Sequence, residues 1–119
     1  MRINEELRQR CKAYASTIVR FYCWLPTKRK EVEVLGHQLL RAGTSVAAHS
    51  REASRTRSDA EFCSKLDGLL QEADESQLWL ELLRDDCYIS GDQIDFLIKE
   101  TSELIAIFVT IVSRVRKKL

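Results

Sequence analysis

Apolar residues recur at intervals of three and four in the first half of the chain, which is the spacing of one face of an α-helix. This pattern predicts a first helix from about Asn4 to Leu25, ended by Pro26 because proline is not tolerated in a helix interior. The pattern then restarts and predicts a second helix from about Lys30 to Arg51 or a little beyond. The apolar positions are Ile3, Leu7, Cys11, Tyr14, Ile18, Phe21 and Leu25, followed by Val32, Leu35, Leu39, Ala42 and Val46.

The second half of the chain contains two apolar seams with a heptad repeat, and each follows residues typical of a helix start. Residues 58–61, Ser-Asp-Ala-Glu, form a capping box, in which the Ser58 hydroxyl and the Glu61 carboxylate satisfy each other's free backbone amides. Residues 90–93, Ser-Gly-Asp-Gln, repeat this pattern and predict a fourth helix that reaches almost to the C-terminus. The seams are Phe62, Leu66, Leu69, Ala73, Ser76, Leu80 and Leu83, then Ile94, Leu97, Thr101, Leu104, Phe108, Ile111 and Val115.

Four such helices with short connections predict a single all-α domain over residues 1–119, an antiparallel up-down four-helix bundle. A repeat near 3.5 residues favours the shallow crossing angle of a bundle over the steeper packing of globins. The composition agrees, since 119 residues with 45% hydrophobic content are too apolar for a disordered chain. Four glycines and one proline are too few turn residues for a sandwich of short strands.

Small residues line one face of the second helix, where Gly36, Gly43 and Ser50 stand at heptad spacing. Glycine inside a helix costs about 1 kcal/mol relative to alanine, so two of them indicate a packing requirement. We expect a neighbouring helix, from this chain or from another, to approach closely on this face.

The fourth helix carries more apolar residues than one core seam requires. Two interpretations stay open: a broad core face with two stray surface residues, or a surface that packs against another subunit. The additional residues are Ile98, Ile105, Val112, Ile107 and Val109.

The four cysteines form no CxxC pair and do not cluster near a histidine, which argues against a zinc site. Because each falls within or at the edge of a helix, we expect buried, reduced thiols in a reducing cytoplasm. Trp24 and Trp79 are interpreted as core or interface residues. The cysteines are Cys11, Cys23, Cys63 and Cys87.

The sequence shows no apparatus for catalysis and no membrane segment. Neither His37 nor His49 has a glutamate three residues before it, which excludes a di-iron bundle motif, and no glycine-rich phosphate loop is present. The N-terminus has no apolar signal segment, and the longest apolar run is far shorter than the roughly 20 residues that span a bilayer. We therefore expect a cytoplasmic protein that is not an enzyme and holds no cofactor.

Charge is distributed unevenly along the chain. Residues 1–57 contain 12 basic and 5 acidic side chains, whereas residues 58–119 contain 7 and 13, within a net charge of +1. In an up-down bundle, the basic set at 114–118 lies at the same end as the end of the second helix, and the set at 28–30 lies at the opposite end.

Four arginines at the end of the second helix and in the turn after it are the candidate binding residues. His49 and one acid, Glu52, accompany them. Guanidinium groups donate hydrogen bonds in a planar fork that suits phosphate, so the cluster indicates nucleic-acid binding. Alternatively, the cluster meets the acidic residues 72–75 of a neighbouring subunit in head-to-tail contact, which closes into a ring. The arginines are Arg41, Arg51, Arg55 and Arg57.

Residues 36–83 resemble the bacterial four-helix bundle proteins encoded in intervening sequences of large-subunit ribosomal RNA genes. This family includes the accessory variability determinant of diversity-generating retroelements. The matching features are Leu-Leu-Arg-Ala at 39–42, Ser-Val-Ala-Ala at 45–48, Glu-Ala at 52–53, and Ala-Glu-Phe at 60–62 before a leucine-rich seam.

The resemblance implies a four-helix bundle that assembles as a homopentamer. For the retroelement accessory proteins, it also implies binding of nucleic acid and of a reverse transcriptase through basic surface. The expected function is therefore a non-catalytic, oligomeric accessory protein that binds RNA or DNA, with no membrane partner. The alternative is a self-assembling protein-interaction scaffold that binds no nucleic acid.

Overall fold

The computed structural model describes residues 3–119, which form four α-helices joined by short connections. The prediction of an all-α chain is confirmed, since this part of the chain contains no strand, and the predicted boundaries hold to within a few residues. The helices are α1 (Glu5–Trp24), α2 (Lys30–Ala53), α3 (Asp59–Asp85) and α4 (Asp92–Arg116).

The four helices run alternately up and down, and each packs against the next one in the chain. Helix α1 also touches α4 and so closes the ring, but this contact is much smaller than the three sequential ones. The result is an elongated body of 48 × 21 × 21 Å. The predicted up-down four-helix bundle is therefore confirmed, with the α1/α4 side as its most open seam.

The predicted seams form the core. All members of the α3 seam are buried, and in α4 the one exception is Ile111, which is half-buried while its neighbour Val112 lies in the core. In the first two helices, Leu7 and Leu35 are partly buried at the edge. Val112 therefore belongs to the core, and Ile98 and Ile105 pack partly against it. The broad-core interpretation explains these three residues, whereas Val109 is 47% exposed.

The buried hydroxyl groups of the bundle find partners that tie helices together or close a helical turn, whereas His49 Nδ1, Gln77 Oε1 and Trp79 Nε1 are buried without a hydrogen bond to any of residues 3–119. The Tyr14 hydroxyl lies 2.7 Å from the Thr101 hydroxyl, which joins α1 to α4, and burial raises the pKa of Tyr14. The buried hydroxyls of Ser50 and Ser76 donate to backbone carbonyls of their own helices, at 2.7 and 2.9 Å. The core is therefore polar in places without leaving these hydroxyls unsatisfied.

An arginine also links the two helices across the open α1/α4 seam. Arg10 donates from Nε and Nη2 to the two carboxylate oxygens of Glu100, at 2.8 and 2.7 Å, and from Nη2 to Glu103 at 2.9 Å. Two parallel bonds between a guanidinium and a carboxylate give a well-defined geometry. This pair therefore holds α1 beside α4 where apolar contact is smallest.

The helix starts agree only in part with the predicted capping residues. The Ser58 hydroxyl accepts from the Glu61 amide at 3.1 Å, as predicted, but the Glu61 carboxylate accepts from the Arg57 amide, at 3.0 Å, instead of the Ser58 amide. The prediction of a second capping box at Ser90 is wrong. The N-cap of α4 is Gly91, whose φ of 126° is a conformation that favours glycine, and no side chain caps this helix.

The small face of α2 packs against α1 of the same chain. A Cβ atom at Gly36 would lie 2.8 Å from Leu25 Cδ1, and one at Gly43 would lie 2.9 to 3.1 Å from three carbons of Ile18. Real Cβ contacts are rarely this short, but the Leu25 methyl at Gly36 is the far end of a flexible side chain and can shift, so Gly43 is the position where the close approach of the two helices requires glycine. The helix that approaches the small face of α2, whose identity the sequence did not specify, is therefore α1.

One prediction about buried side chains is wrong at the end of α1. Cys23 is exposed, whereas Cys11, Cys63 and Cys87 are buried. Trp24 is 57% exposed and stacks on Phe21 with ring centres 5.9 Å apart, so of the two predicted alternatives the core is excluded and the interface stays a prediction. Both lie off the seam positions of α1, facing outward. Among residues 3–119, no helix is long and apolar enough to cross a membrane.

Replacing Gly43 with alanine should destabilise the fold, although alanine is normally the better helix residue by about 1 kcal/mol. The added methyl would press on the fully buried Ile18, and overpacking typically costs about 1 to 3 kcal/mol. We expect Gly43→Ala to lower the free energy of unfolding by about 1 kcal/mol in urea titrations followed by circular dichroism. Gly68→Ala is the control, because its Cβ would meet the partly exposed His49 ring, which can move. A Gly43→Ala variant more stable than the parent would contradict this account.

Thiol labelling should distinguish one cysteine from the other three. Burial withholds three thiols from reagent and raises the pKa of Cys11 to about 11, so little of its reactive thiolate forms near pH 8. We expect Ellman's reagent to modify one thiol per chain rapidly in the native protein and all four after denaturation. Cys23→Ser should remove the fast phase. Rapid reaction of two or more native thiols would show that the core is looser than described.

Candidate nucleic-acid interface

The end of the bundle where α1 and α3 begin also contains the ends of α2 and α4. Two exposed ion pairs connect the helices at this end: Lys65 to Glu52 at 3.0 Å joins α3 to α2, and Arg116 to Asp67 at 2.8 Å joins α4 to α3. We call this the arginine end, after Arg8, Arg51, Arg55 and Arg57, which lie in the first turn of α1 and at the end of α2. It is the region to which three of the four predicted binding residues belong.

Two predicted residues, Arg51 and Arg55, line a groove between the start of α1 and the end of α2. The groove has a volume of about 260 Å³, and its other lining residues are Glu5, Arg8 and Gln9. Arg51 is in the last turn of α2 and Arg55 follows in the turn, so both side chains are exposed at this edge. Within residues 3–119, neither guanidinium has a carboxylate within 4.0 Å, so both are available to an external anion.

Glu5 holds the third arginine of the groove. Its carboxylate accepts from Gln9 at 2.8 Å and forms an ion pair with Arg8 one turn along α1. These hydrogen bonds from Gln9 and Arg8, together with the positive charges of Arg8 and Arg51, keep the pKa of Glu5 below its usual value. The groove therefore already contains one anion of the protein itself, the Glu5 carboxylate, which interacts with its arginines.

Arg57 lies just outside the groove, in the turn that leads into α3. Its backbone amide donates a hydrogen bond to the Glu61 carboxylate, and its exposed guanidinium has no ion pair with any residue from 3 to 119. It extends the positive surface from the groove towards α3.

Arg41 is separated from the other predicted residues. It precedes Arg51 by ten positions, which is about 15 Å along a helix at 1.5 Å per residue. It forms ion pairs with Glu72 at 3.4 Å and with Glu75 at 3.0 Å, both on α3 of the same chain. The structure therefore does not bring Arg41 into the cluster. It also occupies two acids of the segment 72–75 that the head-to-tail alternative would use.

Arg8 was not predicted from the sequence as a member of this site. Arg8 is 43 residues away from Arg51 in the chain. It belongs to a mixed run of acidic and basic residues, which is typical of the solvent-exposed start of a helix. The predicted topology could have identified Arg8 as a member of the site, because in an antiparallel pair the first turns of one helix lie beside the last turns of the next.

The remaining basic residues divide between the two ends of the bundle. Arg114, Lys117 and Lys118 are exposed at the arginine end, and none of them has an ion pair among residues 3–119. At the opposite end, Arg29 donates to the backbone carbonyl of Cys87 at 2.9 Å, which links the first turn to the last one. The predicted separation of the basic sets along the long axis is confirmed.

No three side chains of the metal-ligating types come together within the described 117 residues, 3–119. His49 lies beside the arginine end, with its Nδ1 3.7 Å from Glu52, but this nitrogen is buried and has no hydrogen bond. What the site offers is therefore an array of hydrogen-bond donors and positive charge.

Comparison with known proteins agrees with this fold. The sequence model of the 23S rRNA-intervening sequence protein family matches residues 4–110. A crystal structure from Bacteroides thetaiotaomicron, described as a protein of unknown function from the S23 ribosomal protein family, is 35% identical, with a TM-score of 0.80. The match covers 88% of this chain and 96% of that one. No curated protein gave a significant match. The resemblance inferred from residues 36–83 is thus confirmed, and the chain belongs to the 23S rRNA-intervening sequence protein family.

Proposed function

We propose that this protein is a non-catalytic accessory protein that binds the phosphate backbone of nucleic acid through its arginine end. The observation that carries the proposal is that Arg51 and Arg55, two guanidiniums without an ion pair to any residue of the described range 3–119, face one groove beside Arg8. Guanidiniums bind phosphate with paired hydrogen bonds, and contacts of this kind supply most sequence-independent affinity.

The low net charge of +1 does not oppose this function, because the charge is segregated. Most of the acids lie in α3 and α4, and several are already paired, such as Glu72 and Glu75 with Arg41 and Asp67 with Arg116. The surface potential that a phosphate meets depends on the local balance at the arginine end rather than on the total.

Assembly and partner are further parts of the proposal. By its resemblance to the retroelement accessory proteins, we propose a homo-oligomer, a pentamer by that same resemblance, whose nucleic acid is RNA or DNA and whose protein partner is a reverse transcriptase. An oligomer would present several copies of the arginine end at once, and linked weak sites bind far more tightly than one.

A protein-interaction scaffold without nucleic-acid binding is the second candidate. It is favoured by large apolar side chains that the chain leaves exposed, among them Trp24, Phe96 and Val109, which are 57%, 51% and 47% exposed. Exposed apolar residues are typical of association surfaces when they group together.

Neutralising the groove should weaken binding and its salt dependence together. We expect Arg51→Gln/Arg55→Gln to lower the affinity for labelled single-stranded RNA and for duplex DNA by about tenfold or more. Each lost phosphate contact should also reduce the slope of log K against log salt by about 0.7 to 0.9. Fluorescence anisotropy at about 50 and 200 mM salt measures both quantities.

The matched control is Arg20→Gln/Arg41→Gln, which removes the same charge at positions outside the groove. Equal losses in the two double variants would show that net charge, and not this site, determines binding. Absence of binding by the parent protein at low salt would overturn the proposal. If Arg51→Gln/Arg55→Gln instead changes the sedimentation coefficient of an oligomer, the arginines belong to a subunit interface and the second candidate is favoured.

A further inference from the structure

We infer that the groove between α1 and α2 is a phosphate site with three arginine donors, and that Glu5 acts as its built-in competitor. This inference rests on the proposed function and adds to it the third donor, Arg8, and an internal carboxylate that limits affinity. The ligand chemistry is a phosphate group, either in a nucleic-acid backbone or free in solution.

The geometry supplies three guanidiniums from two helices around one opening. Arg8 comes from the first turn of α1, Arg51 from the last turn of α2, and Arg55 from the turn that follows. The lining residues belong to neighbouring turns of α1 and α2, which pack against each other in the same chain. The backbones that carry the three arginines are therefore held in place by the bundle, which lowers the entropy cost of binding.

The position of Glu5 explains why the groove is not simply a positive surface. Its carboxylate is paired with Arg8 and hydrogen-bonded to Gln9, and it also feels the charge of Arg51. The lining thus contains three guanidiniums and one carboxylate. A phosphate that enters must share Arg8 with Glu5 or displace it, and in either case it meets a like charge. The neighbouring acid Glu6, in the same first turn, does not line this groove.

Removing this carboxylate charge should therefore strengthen binding. We expect Glu5→Gln to increase the affinity for a single-stranded RNA oligonucleotide by about fivefold at low salt, because one repulsive charge is lost and Arg8 is released. Glu6→Gln is the matched control, with the same change in net charge in the same helical turn, and should raise affinity much less. The difference between the two variants should shrink as salt is raised.

The role of Arg8 is tested by a second comparison. Arg8→Gln should weaken binding by about fivefold or more, whereas Arg20→Gln, an exposed arginine near the other end of α1, should change it little. If Glu5 acts by holding Arg8, the gain from Glu5→Gln should be smaller in the Arg8→Gln background than in the parent. Circular dichroism on each variant controls for loss of the helical fold.

Inorganic phosphate distinguishes the two sources of the ligand. Titration of phosphate into the ¹⁵N-labelled protein should shift the side-chain resonances of Gln9 and of the Arg8, Arg51 and Arg55 Nε–H groups. Saturation by phosphate at millimolar concentration, together with weak RNA binding, would identify a free anion as the ligand. Shifts with RNA at much lower concentration would identify the backbone.

The outcomes separate this inference from the proposed function. If the parent binds RNA and Arg51→Gln/Arg55→Gln abolishes binding, but Glu5→Gln matches Glu6→Gln and Arg8→Gln matches Arg20→Gln, the inference is wrong and the proposed function stands. If the parent binds no nucleic acid but phosphate shifts the groove resonances, the proposed function is wrong and the anion site stands. If neither ligand binds, both are wrong.

Discussion

The close packing of α1 against α2 determines both the bundle and its candidate site. Gly43 allows the backbone of α2 to approach until a Cβ atom there would meet three carbons of Ile18. Since side chains in a core are packed as densely as organic crystals, such a contact fixes the register of the two helices along each other. With the register fixed, the first turns of α1 lie beside the last turns of α2, and Arg8 faces the groove with Arg51 and Arg55. The candidate site is thus a consequence of how two helices fit together.

The core was predictable because every seam position has the same requirement, which is to place an apolar side chain on the buried face of its helix. A side chain that recurs with a heptad repeat returns to the same face, and burying that face is the main favourable term in folding. Features that depend on the backbone conformation of one residue, such as a helix cap, were predicted less well. The predicted second capping box does not form, because Gly91 and not Ser90 is the N-cap of α4, with a φ of 126°. The four residue types of the motif do not by themselves specify which residue adopts a positive φ. The predicted burial of Cys23 failed because residue type was taken as a guide to burial, whereas its position between the seam residues Phe21 and Leu25 places it outward.

The site was predicted in part, and the difference between Arg41 and Arg8 shows why. Closeness in sequence suggested that Arg41 belongs with Arg51, but ten residues of a rigid helix separate them by about 15 Å. Arg41 then finds acids on α3 that lie far away in sequence. Arg8 has the opposite relation, being remote in the chain and adjacent in space. Charge clustering along a sequence is therefore a guide to a site only after the topology has been applied to it.

Glu5 connects the stability of the fold to the affinity of the site. An acidic residue in the first turn of a helix interacts favourably with the helix dipole. Its bonds to Gln9 and Arg8 order the start of α1, which supports one wall of the groove. The same charge lowers the positive potential that an incoming phosphate would meet. A protein selected only for tight binding would place a neutral residue there, and one selected only for stability would keep the acid. An exposed carboxylate among three arginines would lower the phosphate affinity of the groove chiefly by weakening the electrostatic attraction during encounter, because exposed charges act mainly on the association rate.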